Sequence, residues 1–379
     1  MKLSCTGCGR TYPARIILYR CPECDALLEL IHPEKTFSRK HAWKGTGVWR
    51  YAPLLPTKPL VTLGEGNTGL HLCENLGIPP VHVKHEGENP TGSFKDRGMT
   101  VGIAWAKKLG ATTVACASTG NTAASLAAYA ARARMRAIVL IPSGNVAMGK
   151  IAQALVHGAK VIQVDGNFDD AMRLVQQTDA YLLNSINPFR LEGQKTLAFE
   201  VCEALGRAPD TLVLPMGNAG NISAIWKGFK EWKAAGLISK LPKMIGVQAA
   251  GANPIVRTLR GRKKSCRVSR PETVATAIRI GAPINWTKAI AAIRESGGDA
   301  VTVTDREILS AQKLLAEKEG LFVEPASAAP IAHLRKKKRR GLVVCVATGH
   351  GLKDPEVILR GKPKFVTIRP DLKSLQRVL

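Results

Sequence analysis

The chain has 379 residues, is 45% apolar and carries a formal net charge of +26. That length accommodates two or three packed units of roughly 100 to 200 residues each. No stretch approaches the roughly 20 apolar residues of a bilayer span, and Met1–Cys5 lacks a signal peptide's apolar segment, so a soluble cytoplasmic protein with no membrane partner is expected.

The N-terminus spaces four of the nine cysteines as Cys5-x2-Cys8-x12-Cys21-x2-Cys24. In an intracellular protein paired CxxC knuckles favour metal over disulfides, and four thiolates close a structural zinc site with no open coordination position. Residues 1–32 are therefore expected to form a zinc ribbon that stabilises its own segment without entering the chemistry. Four metal-free thiols are the alternative. Cys73, Cys116, Cys202, Cys266 and Cys345 read as buried thiols. Residues 31 to 59, with proline and glycine turns and little periodicity, read as a covering segment.

From residue 81 onward, strand-length apolar runs alternate with helical stretches. The runs are Val81 to Lys84, Thr113 to Ala117, Ala137 to Ile141, Val161 to Val164, Ala180 to Leu183, Thr211 to Leu214, Met244 to Val247 and Leu342 to Ala347. Their Val, Ile and Leu content fits parallel strands buried on both faces. Asn121 to Arg134, Ile151 to His157 and Asn221 to Ala235 read as helices. The alternation predicts an α/β chain with doubly wound open sheets, in which ligands sit beyond the carboxyl ends of the strands.

Four loops at such ends are unusual in composition. Asn89 to Gly98, NPTGSFKDRG, brings Lys95 to a helix start. A lysine there is ordinarily a surface charge, but in a dehydrated crevice its pKa falls and the neutral amine becomes a nucleophile. Ser118, Thr119, Asn121 and Thr122 concentrate hydroxyl and amide groups ahead of an alanine-rich helix, more than a single cap requires. Gly217, Asn218, Ala219, Gly220 and Asn221 let backbone approach a phosphate, although Gly-Asn pairs also make plain turns. The segment contains neither GxGxxG nor a Walker loop. Thr348 opens TGHGLKD after the last strand. A reactive lysine, a phosphate cradle, a hydroxyl-rich loop and an isolated hydroxyl fit an aldehyde cofactor that carries a phosphate, pyridoxal 5′-phosphate, better than a nucleotide.

Two basic runs lie at Arg257 to Arg270 and Arg335 to Arg340. Neither is interleaved with the aromatics that stack bases, so both read as solvated surface and nucleic acid is not the expected partner.

In their order along residues 64 to 357, NPTGSFKDRG, STGNT, GNAGN and TGHGLKDP resemble the motif set of the threonine synthase family, fold-type II enzymes related to tryptophan synthase β. The resemblance implies a catalytic region over residues 33–379, built of two doubly wound domains with the cofactor between them. Residues 116–189 would be approximately the smaller, mobile subdomain. It matches Lys95 to the Schiff-base lysine, Asn121 to the asparagine beside the cofactor 3′-oxygen, Gly217 to Asn221 to the phosphate loop and Thr348 to the residue facing the pyridine nitrogen. It places Ser118, Thr119, Asn184, Ser185 and Arg190 around the substrate, and a guanidinium with nearby hydroxyl and amide donors suits a phosphate. It further implies conversion of O-phospho-L-homoserine and water to L-threonine and phosphate, with protons at the α and β carbons moved by Lys95, and a homodimer. A glycine where proline is usual within Gly64 to Gly69, together with Ala250 and Ala282, departs from the family pattern. Cysteate synthase and threonine dehydratase activities of the same fold stay open, as does a noncatalytic zinc-ribbon protein that binds nucleic acid.

Overall fold

The computed structural model describes residues 1–32, 43–143, 148–166, 168–261, 266–359 and 366–378. Part of the covering segment, 33–42, and part of the first basic run, 262–265, lie outside the described residues.

Three short strands open the chain: β1 (Lys2–Cys5), β2 (Thr11–Pro13) and β3 (Leu28–Ile31). They pair antiparallel in the order β2-β1-β3 and make the ribbon. A one-turn-and-more 3-10 segment over Gly47–Leu54 then drops Tyr51 and Leu54 into the core of the main body, so the covering segment also supplies packing.

The larger sheet is built from β4 (Leu70–Cys73), β5 (Val81–His85), β10 (Thr211–Pro215), β11 (Lys243–Ala249), β12 (Asp299–Val303) and β13 (Val343–Ala347). Its order is β12-β11-β10-β13-β5-β4, and all strands are parallel except β4. The smaller sheet holds β6 (Thr113–Ala117), β7 (Arg136–Pro142), β8 (Lys160–Val164) and β9 (Tyr181–Leu182), parallel in the order β8-β7-β6-β9.

Every residue of β10 and β13 is buried, because alternate side chains enter separate cores. Leu212, Leu214, Val344 and Val346 pack with α6 (Thr196–Leu205), α7 (Gly220–Ala234) and α9 (Trp286–Glu295). Val213, Val343 and Cys345 pack with α10 (Asp305–Glu319) and α11 (Pro325–Lys336) on the opposite face. Around the smaller sheet, α2 (Asn121–Ala133) and α3 (Met148–Val156) cover one face and α4 (Phe168–Val175) the other. Helix α1 (Lys95–Lys108) and helix α5 (Pro188–Gln194) pack on each other where the two bodies meet, and α8 (Pro254–Leu259) follows β11. Proline at the first position and Asn187 as cap, accepting from the Phe189 amide at 2.9 Å, start α5 where the sequence asks for it.

The strands read from the sequence all form, whereas β4 and β12 extend the larger sheet beyond that reading. No helix among the described residues is long and apolar enough to cross a membrane.

Candidate active site

Lys95 is the first residue of α1, and its Nζ stands 4.2 Å from the Phe94 ring centroid. Burial first, and then the charge of Arg190, lower its pKa to about 7, with Glu324 acting in the opposite sense. At neutral pH about half of such a lysine is free amine, the form that attacks a carbonyl. The next residue fixes the turn. Asp96 accepts from the Thr91 amide at 2.7 Å, the Thr91 hydroxyl at 2.6 Å and the Ser125 hydroxyl at 2.5 Å. Burial raises its carboxyl to about 6 against the pull of those bonds.

Three of the four loops are joined by hydrogen bonds. The Phe94 amide donates to the Thr348 carbonyl at 3.0 Å and the His350 amide to the Gly92 carbonyl at 2.9 Å, joining the lysine loop to the loop after β13. Asn121, at the start of α2, donates through Nδ2 to both carboxylate oxygens of Glu324 at 3.2 Å. The Glu324 amide in turn donates to the Gly349 carbonyl at 3.0 Å. The Thr348 and Ser327 hydroxyls are 3.0 Å apart.

Ala219 adopts a left-handed φ of 61° at the cap of α7. A Cβ on Gly217 would lie 3.0 Å from the Ala277 carbonyl oxygen, a close approach that excludes a larger residue without a shift. Among the described residues both polar atoms of the Asn221 amide are buried without a partner, as is Oδ1 of Asn121. Of these atoms Asn221 Nδ2 is the donor, and a donor beside the free first-turn amides of a helix is an arrangement that can take an anion.

Arg190, on α5, is 1% exposed, yet among the described residues its guanidinium has one protein acceptor, the Leu183 carbonyl at 2.8 Å. Its Nε and second terminal nitrogen are buried and unpartnered, and burial lowers its pKa to about 10. A buried cation in this condition costs free energy unless an anion completes it. Asn184 is placed differently: its amide accepts from the Ala117 amide at 3.0 Å and donates to the Ala117 carbonyl at 2.9 Å. It therefore fixes the end of β6 and the Ser118–Thr119 turn that follows. The Ser118 hydroxyl accepts from the Gly120 amide at 3.2 Å, and the Ser185 carbonyl accepts from Asn285 at 3.2 Å.

Residues 61–349 match the family described as pyridoxal-phosphate dependent enzyme. The threonine synthase of Methanocaldococcus jannaschii is 54% identical over 99% of this chain and 98% of the relative. That of Methanosarcina acetivorans is 54% identical over 94% and 93% respectively.

The chain belongs to the threonine synthase family.

Its pyridoxal-phosphate dependent fold recurs in solved structures. Maize serine racemase aligns with a TM-score of 0.66 at 22% identity, covering 78% of this chain and 91% of that one. The processed threonine deaminase isoform 2 of Solanum lycopersicum aligns with a TM-score of 0.64 at 20% identity, covering 92% and 97%. For a threonine synthase family member, the orphaned Asn221 and Asn121 atoms, the open start of α7 and the depressed Lys95 fit a phosphate-bearing aldehyde cofactor.

Several site residues escaped the sequence reading. Glu324, 1% exposed, ties Asn121 to the Thr348 loop, and its only signal is a glutamate before the proline that starts α11. Beneath the lysine, fully buried Arg97 bonds Glu86 at 2.6 Å and Glu200 at 2.7 Å, while Lys84 reaches Glu200 at 2.8 Å. Burial alone would raise Glu200; Arg97 and Lys84 outweigh it and bring its pKa to about 2.

In the ribbon, the sulfurs of Cys5, Cys8, Cys21 and Cys24 all lie within 4.8 Å of one another. Four tetrahedral thiolates with metal–sulfur bonds of about 2.3 Å are separated by about 3.8 Å, so the cluster fits zinc.

Proposed function

We propose that this protein is a threonine synthase that converts O-phospho-L-homoserine and water to L-threonine and phosphate, in the cytoplasm, with a structural zinc on Cys5, Cys8, Cys21 and Cys24. The observation that carries the substrate assignment is Arg190, a buried guanidinium with two unpartnered nitrogens beside a lysine of depressed pKa. Such a group asks for an anion that the protein itself does not supply, and a planar donor fork matches phosphate.

Lys95 would hold the cofactor, the amides and side chains of Gly217, Asn218, Ala219, Gly220 and Asn221 its phosphate, and Asn121 its 3′-oxygen edge. Thr348 would face the pyridine nitrogen. Bound pyridoxal phosphate supplies the electron sink that acidifies carbon next to the substrate amine. Lys95, poised near neutral pH, is the base that takes and returns protons at the α and β carbons once the substrate amine replaces it. Arg190, with Ser118, Thr119 and Ser185, would orient the γ-phosphate and stabilise it as it leaves, while Asn184 holds the Ser118–Thr119 turn through Ala117. Thr348 is a neutral hydroxyl already shared with Ser327, and it stabilises a protonated ring far less than a carboxylate would, which favours elimination over a long-lived carbanion.

Cofactor-loaded protein is to be offered O-phospho-L-homoserine and, separately, O-phosphoserine with sulfite, with products identified. Equal yields of threonine and phosphate from the first are expected. Cysteate from the second, with no threonine from the first, moves the assignment to the sister activity.

A further inference from the structure

The ribbon packs against the smaller sheet. β9 is an edge strand of the smaller sheet, and the Leu183 amide points inward to the Ala115 carbonyl at 2.8 Å, so the Leu182 amide points outward. That outward amide donates to the Tyr19 hydroxyl of the ribbon at 2.7 Å. The Tyr19 ring meets the Tyr181 ring edge-on at 6.1 Å, and ribbon residue Leu27 enters the same core as Ala115, Ala117, Leu182 and Ile186.

Leu182 and Leu183 are also where the anion arm is anchored. The Leu182 carbonyl accepts from Asn187 Nδ2 at 2.9 Å, and Asn187 Oδ1 accepts the Phe189 and Arg190 amides at 2.9 and 3.4 Å. The Leu183 carbonyl takes the Arg190 guanidinium at 2.8 Å. Tyr19, Leu182, Asn187 and Arg190 thus form a continuous bonded series from ribbon to guanidinium. A second clamp grips the same helix two residues on. Glu192 accepts from His32 at 2.8 Å and is bonded by Lys195 and Lys227, and Lys227 also donates to the Leu30 carbonyl of β3 at 2.7 Å.

We infer that the N-terminal ribbon is a positioning element of the substrate-anion site, setting Arg190 through the Tyr19–Leu182 bond and the His32–Glu192–Lys227 clamp. This rests on the reading of Arg190 as the group that takes the substrate phosphate. A guanidinium with a single protein acceptor keeps its direction only as well as the strand end beneath it does, and that strand end is closed by a ribbon side chain.

The test uses cofactor-loaded Tyr19→Phe, which keeps the ring and loses one hydroxyl, with His32→Ala for the second clamp and Arg10→Ala as a ribbon variant remote from the junction. Amide hydrogen exchange over residues 182–190, measured without substrate, should accelerate in Tyr19→Phe and stay unchanged in Arg10→Ala. The KM for O-phospho-L-homoserine should rise roughly tenfold in Tyr19→Phe, the effect of one buried amide left without its acceptor, with kcat within about twofold and the cofactor absorbance unaltered. His32→Ala should move KM in the same direction. Wild-type exchange and KM in Tyr19→Phe overturn the inference, and so does faster exchange with KM unmoved. Failure of the threonine synthase reading is separate, because it appears as wild-type protein that makes no threonine.

Discussion

Two buried arginines on neighbouring helices show how this chain separates holding from binding. Arg97 on α1 is fully buried between Glu86 and Glu200, and although burial acts against its charge, the two carboxylates raise its pKa well above the ordinary value. Arg190 on α5 is as buried, has one carbonyl, and its pKa drops to about 10. The first arginine is neutralised from within and belongs to the architecture. On the proposed reading the second retains its charge for the substrate phosphate, and that charge helps to lower Lys95. Equal burial with opposite pairing is what distinguishes a structural cation from a ligand cation.

The sharpest way to break this comparison is the lysine that lies next to it. Lys95→Ala should reduce threonine formation by about four orders of magnitude or more while far-ultraviolet circular dichroism and the melting temperature hold, since the nucleophile and base go together. Substantial turnover in that variant would remove the mechanism. Arg97→Leu should lower stability by about 3–5 kcal/mol in denaturant titration, because it leaves Glu86 buried beside an underpaired Glu200. Its pH dependence has a definite sign. Glu200 is held at about 2, below the ordinary 4.5, so its contribution is full above about pH 4.5 and is lost as pH falls toward 2. Arg97→Leu should flatten that limb of the stability curve.

A gentler probe sharpens the other half. The rate at which apoprotein takes up pyridoxal phosphate should rise with pH through about 7, not near 10, since the neutral Lys95 amine is the attacking form. Removing the Arg190 charge should move that midpoint upward, and removing Arg97 should not. The smallest effect is expected from Cys21→Ser, which should lower zinc content and the melting temperature of the ribbon junction with kcat nearly constant.

The larger part of the fold was legible because strands buried on both faces must be continuous apolar runs, as in Thr113–Ala117 and Val343–Ala347. The edge strands of the larger sheet were not. Leu70–Cys73 leaves three of its four residues incompletely buried, and Asp299–Val303 mixes aspartate and threonine into its run. Lys95 stood out through its neighbours in sequence, but the pairing of Arg97 with Glu86 and Glu200 joins segments far apart in the chain and has no local signature. Glu324 reads locally as the residue before a helix-starting proline, and its burial comes from the Gly349 loop folding over it. Sequence reasoning expected the ribbon to serve itself alone. Tyr19, one of two tyrosines between the CxxC pairs, carried no sign that its hydroxyl closes the edge of a sheet elsewhere in the chain.

The measurement that tests the account most directly is a substrate titration of Arg190→Leu beside its melting curve. With the unpartnered guanidinium replaced by an apolar side chain, kcat/KM for O-phospho-L-homoserine should fall by about a hundredfold or more while the melting temperature holds or rises, because a buried charge that costs stability is gone. A clear drop in melting temperature with kcat/KM unchanged would make Arg190 a second architectural cation and contradict the account.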